Sequence, residues 1–255
     1  PGEIYDNKKI VRDLQRLYNL GFFEEVRRDH LPGKTPEEVV LVIHVVEQKT
    51  GRAGVGAGYS SLNGLVGFVN LSQNNFQGEG KRVYLKTEFG GIETYELGYF
   101  DPWLNNKPQS FGIDLYNTEY TRNLYAGGNE LTEYDEKRTG GAITLGRRLN
   151  SDLDLSFRFR DEDIKLTPKD PSVAPAAGLL NGRIQTLAAI LAKDTRDNRF
   201  RPTTGVHDTF WAETTGGFLK GDNQYTKYML ALRRYLAISK NRKTVFAVQS
   251  VAGQT

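Results

Sequence analysis

Residues 152–160 read Asp152-Leu153-Asp154-Leu155-Ser156-Phe157-Arg158-Phe159-Arg160, and this stretch decides the fold class. Leucine or phenylalanine fills each odd position, while aspartate, serine or arginine fills each even one. An extended strand turns that period of two into one apolar face and one charged face; a helix would scatter the same residues around its circumference. The pattern recurs on either side. Val83, Leu85, Thr87 and Phe89 alternate with Arg82, Tyr84, Lys86 and Glu88, and Tyr228, Leu230 and Leu232 alternate with Lys227, Met229, Ala231 and Arg233.

Working outward, eleven segments read as strands: 53–62, 64–76, 80–91, 93–104, 109–121, 135–149, 152–167, 182–197, 206–217, 224–239 and 243–255. Many are about twice as long as the usual globular strand of about 5 to 6 residues. Alternation alone fits two architectures, because a soluble sandwich turns its charged faces to water and a membrane barrel turns its apolar faces to lipid. Strand length favours the membrane, since a tilted strand crosses the hydrocarbon in about 9 to 11 residues. Aromatic residues also gather near strand ends, as an interfacial girdle requires: Phe76, Tyr99, Phe100, Trp103, Tyr120, Tyr125 and Trp211. Short links at Asn150-Ser151 and Asn105–Pro108 alternate with long polar ones at Arg122–Tyr134 and Pro168–Asn181, which read as periplasmic turns and exterior loops. The charged faces are expected to line a watery lumen.

Before residue 50 the period changes. Ile10, Val11, Leu14, Leu17 and Tyr18 recur at three and four, predicting an amphipathic helix over Tyr5–Gly21 with Asp6 as its cap and Gly21 as its stop. A strand over Phe22–His30, a Pro and Gly loop over Leu31–Glu38 and a β-branched strand over Val39–Gln48 follow. Leu14, Leu17 and Phe22 are expected in a small core, and His44 on a sheet face. The organisation read from the chain is an α+β module over 1–50 and an all-β domain over 51–255.

Composition narrows the functions. The 34 basic and 31 acidic residues leave a net charge of +3, no electrostatic case for nucleic acid as a partner. Cysteine is absent, which removes disulfides and thiolate chemistry. His30, His44 and His207 lack the i, i+4 spacing of a helical zinc site, so neither metal nor cofactor is expected. A Gly-x-Ser-x-Gly elbow is missing and His207-Asp208 has no evident serine, so the chain does not read as an enzyme. No apolar run reaches the roughly 18 residues of a membrane helix, a limit that does not apply to barrels. An opening at Pro1 without a signal peptide reads as a processed or excised segment.

Four stretches carry a family resemblance. They are Asp13–Val26 (DLQRLYNLGFFEEV); Val45–Gly51 with the glycine-rich Gly54–Tyr59; Asn75–Gly80 (NFQGEG) with Gly98–Leu104 (GYFDPWL); and Asp194–Gly205 (DTRDNRFRPTTG). In this order the chain resembles the BamA-type outer-membrane assembly proteins, which join periplasmic POTRA domains to a barrel of about sixteen strands. The resemblance implies a partial last POTRA domain followed by the first eleven barrel strands. It also implies a location in the bacterial outer membrane, with unfolded outer-membrane protein precursors as clients and outer-membrane lipid and periplasmic accessory lipoproteins as partners. The chain departs from the pattern at both ends: a POTRA strand and helix would precede residue 1, and the closing strands, with the loop motif carrying an Arg-Gly pair, would follow residue 255.

Two candidate sites follow. Gly54, Gly56 and Gly58 share one face of the first barrel strand, leaving Val55, Ala57 and Tyr59 on the other; glycine weakens strands, and in the family this seam is the lateral gate. The competing reading is that these glycines only relieve crowding in the wall. Glu25, Val26, Arg27, Arg28 and Asp29 form a strand that could offer its edge to a client by β-augmentation, against an ordinary solvated edge. The alternatives to an insertase are a two-partner-secretion or related POTRA-barrel translocation pore, and a soluble all-β binding or adhesion protein.

Overall fold

A computed structural model describes residues 2–61, 63–91, 93–126, 129–170, 181–239 and 244–255. It contains helix α1 (Asn7–Asn19) and strands β1 (Phe23–Pro32), β2 (Val39–Glu47), β3 (Gly51–Ser60), β4 (Gly64–Phe76), β5 (Lys81–Gly90), β6 (Glu93–Asp101), β7 (Gln109–Ala126), β8 (Asn129–Asn150), β9 (Leu153–Pro168), β10 (Gly182–Asp194), β11 (Gly205–Thr215), β12 (Tyr225–Ala237) and β13 (Val245–Gln254). The chain forms two compact units. One comprises Pro1–Thr50, Thr195–Val206 and Arg234–Val248; the other comprises Gly51–Asp194, His207–Arg233 and Gln249–Thr255.

In the first unit, Asp6 caps α1 by accepting the backbone N–H of Lys8 at 2.8 Å and of Lys9 at 3.2 Å. Gly21, at φ 72°, takes the left-handed conformation that ends the helix at little cost. Ile10, Leu14 and Leu17 are half-buried, whereas Val11 and Tyr18 are exposed. β1 and β2 pair antiparallel from Phe23 opposite Glu47 to Pro32 opposite Val39.

β3 to β13, which fall mainly in the second unit, form one eleven-stranded sheet in which every strand neighbours the next in sequence. It ends at β3 and β13, which do not pair with each other among the described residues. The sheet is apolar on the outside. Leu71, Leu85, Leu97 and Leu115 sit directly opposite one another across β4 to β7, as do Ile143 and Phe159, and Leu145 and Phe157, across β8 and β9. All eight are exposed. The reverse face holds a row of Tyr84, Gly98, Asp114, Ala142, Arg160, Thr186 and Thr215. Thr94, Thr118, Glu136, Glu162, Thr186, Glu213 and Thr215 are buried. A water-soluble fold would have these environments exchanged, because exposing a contiguous apolar band to water is costly and burying carboxylates more so.

The inversion stops part-way along the strands, which corrects the expectation of a charged inner face throughout. On β9 the apolar residues point outward from Leu153 to Phe159, a rise of about 20 Å. Beyond Asp161 the faces exchange: Ile164 and Leu166 are buried on the inner side while Asp163 and Lys165 are exposed on the outer. Ile164 and Leu166 pack with Tyr134 and Ile184 as a buried apolar cluster. On the outer side, Asn117, Thr139, Asp163 and Arg183 form a polar row. Ordinary soluble burial thus resumes where the strands leave a band close to the about 25 Å height of an outer-membrane apolar belt.

The expected long loop at Arg122–Tyr134 is instead mostly strand, since β7 and β8 stay paired up to Ala126 opposite Asn129. β8 has 22 residues, about twice what a crossing needs. Backbone pairing of this hairpin thus continues beyond the apolar band. Residues 171–180 of the second expected loop, and the side chain of Tyr125, lie outside the described residues.

Candidate functional site

Among the described residues β3 pairs with β4 alone. Gly54, Gly56 and Gly58 face Asn70, Phe68 and Val66, respectively. Val55 and Tyr59 are 77% and 80% exposed, and Ala57 between them is exposed too. The three glycines are not equivalent. A Cβ on Gly56 would lie 2.6 Å from the Phe68 ring, whereas one on Gly54 or Gly58 would have no atom within 4 Å. Gly56 is therefore a seat for an aromatic ring, a device repeated where Phe89 covers Gly67 and Tyr84 covers Gly98. Gly54 and Gly58 leave that face of the strand bare.

β1 pairs with β2 on one side and with no other strand among the described residues. Its expected client-binding residues are mostly tied to neighbours. Arg27 is ion-paired with Glu25, Asp29 lies 3.1 Å from the His44 ring nitrogen, and Arg28 donates to Asn7 at 2.7 Å. Val26 is half-buried. His44 lies on the sheet surface, and His207 lies 3.2 Å from the Arg233 guanidinium.

The inner face carries polar networks that the alternation pattern did not reveal. Glu162 accepts from the Tyr116 hydroxyl at 2.8 Å and lies 3.4 Å from Arg160 and 3.7 Å from Arg138, which also holds Glu136 at 2.7 Å. Asp114 accepts from the Tyr84 hydroxyl at 2.9 Å and pairs with Arg158 at 2.9 Å. These residues lie on four strands, β5, β7, β8 and β9, so they tie this part of the wall together. Among the described residues no group of His, Asp and Glu is arranged to hold a metal ion.

The Thr195–Val206 turn is organised by its own acid. Asp197 accepts the backbone N–H of Thr203 at 2.8 Å and of Thr204 at 3.1 Å, and also the Thr203 hydroxyl. Burial pushes the Asp197 carboxyl up, but the hydrogen bonds from Thr203, Thr204 and Asn198 outweigh it and hold its pKa below the usual carboxylate range. A depressed folded pKa contributes stability that is complete above the unfolded value of about 3.9 and is lost as pH falls through the folded one. The turn should thus resist proteolysis down to about pH 4 and loosen below it. Asp197→Asn should be more readily cleaved at neutral pH and show a flatter acid profile, which limited digestion with an acid-tolerant protease over that range would measure.

Comparison with known proteins gives this geometry its family. The model of the Omp85 superfamily domain matches residues 75–255, and that of the surface antigen variable number repeat, the POTRA module, matches residues 1–48. The chain belongs to the Omp85 superfamily. It is 24% identical over 244 residues to the outer membrane protein assembly factor BamA of Nitratidesulfovibrio vulgaris, covering 94% of this chain and 30% of that protein. Its fold is similar to that of BamA from Haemophilus ducreyi lacking POTRA domains 1–3, with a TM-score of 0.55, 20% identity, and coverage of 98% of this chain and 49% of that one. CdiB from Escherichia coli is also similar in fold, with a TM-score of 0.63, 12% identity, and coverage of 99% and 49%. The chain is thus a BamA-type Omp85 protein of the bacterial outer membrane, spanning less than a third of its curated BamA relative.

Proposed function

We propose that this Omp85 chain is the junction region of an insertase for outer-membrane β-barrel proteins, divided functionally into a POTRA module over 1–50 and the start of the barrel over 51–255. Its clients are unfolded outer-membrane protein precursors, and periplasmic accessory lipoproteins are its natural partners. The observation that carries the reading is β3, which is bare of side chains at Gly54 and Gly58. A strand with few side-chain contacts releases its partner readily, and an edge so freed is a template for pairing with another chain. Gly54 to Tyr59 then form the lateral gate, and Glu25 to Asp29 the edge on which the module first receives a client strand. No catalytic chemistry enters this mechanism.

The glycines supply the test. Gly54→Ala and Gly58→Ala meet open space, so each should only stiffen the strand, by about 0.5–1 kcal/mol. Together they should slow client insertion into proteoliposomes by the full-length protein about 5- to 30-fold while barrel stability is kept or raised. Gly56→Ala should behave differently, displacing Phe68 and lowering barrel stability. Unchanged insertion by the Gly54/Gly58 double variant would remove the gate and leave the glycines as relief of crowding.

The similarity in fold to CdiB supports a second reading, a POTRA-barrel translocation pore that exports its client. Full-length protein that moves a client across vesicles without leaving it in the bilayer would favour that reading. The outward-facing leucines argue against a soluble adhesion protein.

A further inference from the structure

Asn19 is the last residue of α1, and its side-chain amide reaches the turn between β10 and β11. Its Nδ2 donates to the Asp197 carbonyl at 3.3 Å, and its Oδ1 accepts the Arg199 backbone N–H at 3.2 Å. A primary amide offers one donor group beside one acceptor, and the turn presents the complementary pair two residues apart. Gln15, one helical turn earlier, donates to the same Oδ1 at 3.4 Å and helps to fix the side chain. The turn is preformed for this contact: Asp197 closes one side of it, and Asn198 accepts the backbone N–H groups of Phe200 and Arg201, each at 2.8 Å. Beside the amide, the Phe200 ring lies where a Cβ on Gly21 would be, 2.7 Å from that position. Gly21 therefore both stops the helix and makes the seat for the ring.

We infer that Asn19 and Phe200 are positioning residues that hold the end of the POTRA helix on the β10–β11 turn. Phe200 is 62% exposed, so the ring contributes little buried area. What the contact supplies is direction: two hydrogen bonds and one ring seat specify a single register between segments about 180 residues apart. Because the turn is the covalent link between β10 and β11, a hold on it couples the module to that hairpin. Loss of the hold should disturb delivery from the module without unfolding either part. This role rests on the insertase reading above, but the contact itself does not.

The experiment uses the full-length protein in lipid nanodiscs and follows amide hydrogen exchange with client insertion measured in parallel. In Asn19→Ala the Arg199 amide loses its acceptor, and its exchange should accelerate about ten-fold while the amides of β10 and β11 are unchanged. Phe200→Ala should accelerate the same turn, and Asn19→Asp, which keeps the acceptor but loses the donor, should fall between Asn19→Ala and the native protein. Both alanine variants should slow insertion. Unchanged Arg199 exchange in both, or equal acceleration throughout the barrel, would overturn the contact. A loosened turn with insertion at the native rate would overturn the positioning role. A native protein that inserts no client would count against the insertase reading, with the exchange result still deciding the contact.

Discussion

Leu145→Arg combined with Phe157→Arg should abolish assembly of the barrel in a bilayer. The two residues are direct cross-strand partners, 55% and 51% exposed, in the middle of the outward apolar band. On a water-facing surface such changes alter stability by no more than about 0.5 kcal/mol and tend to improve solubility. Facing hydrocarbon near the bilayer midplane, each arginine costs about 2–4 kcal/mol. Together they would consume much of the about 5–15 kcal/mol that keeps a typical protein folded. The readout is the heat-modifiable electrophoretic mobility of the full-length protein after refolding into vesicles. The double variant should run only as the unfolded form, while Leu145→Ala with Phe157→Ala should retain a folded band.

The second large effect is expected on the opposite face. Glu162 is 3% exposed and gathers Tyr116, Arg138 and Arg160 from β7, β8 and β9. Removing one member of a buried ionic cluster strands the others without a counter-charge, at about 3–5 kcal/mol. Glu162→Ala should therefore lower the thermal midpoint of the folded band sharply. Tyr116→Phe removes one hydrogen bond to a charged acceptor and should cost only about 1.5–3 kcal/mol. If both variants melted with the native protein, the cluster would not be holding the wall together.

Alternation made every transmembrane strand legible, because a period of two survives wherever one face meets lipid. Leu153, Leu155, Phe157 and Phe159 mark the outward side of β9 in sequence and structure alike. The same rule fails above the membrane. At Ile164 and Leu166 apolar residues still alternate with polar ones, but they have changed sides, and a period of two does not say which side is which. At Arg122 to Glu133 the sequence loses its regular alternation, with Leu124, Tyr125 and Ala126 running together, and the signal vanishes although the backbone stays paired up to Ala126 opposite Asn129.

The sites divide in the same way. Glycines at 54, 56 and 58 are visible in the sequence, but only packing separates Gly56, under Phe68, from its two bare neighbours. Asn19, Asp197 and Phe200 all lay within recognised motifs. Their meeting depends on contacts about 180 residues apart that no local pattern encodes. The Glu162 cluster likewise assembles from strands whose register is set by pairing.

A spin-label scan along β9 of the full-length protein in a bilayer tests the orientation of the sheet most directly. Labels at Leu155, Phe157 and Phe159 should be accessible to oxygen dissolved in lipid and shielded from a water-soluble nickel chelate, with the preference reversed at Asp163 and Lys165. Equal access of the chelate to all five positions would mean that the apolar face meets water, and the membrane-spanning account would be wrong.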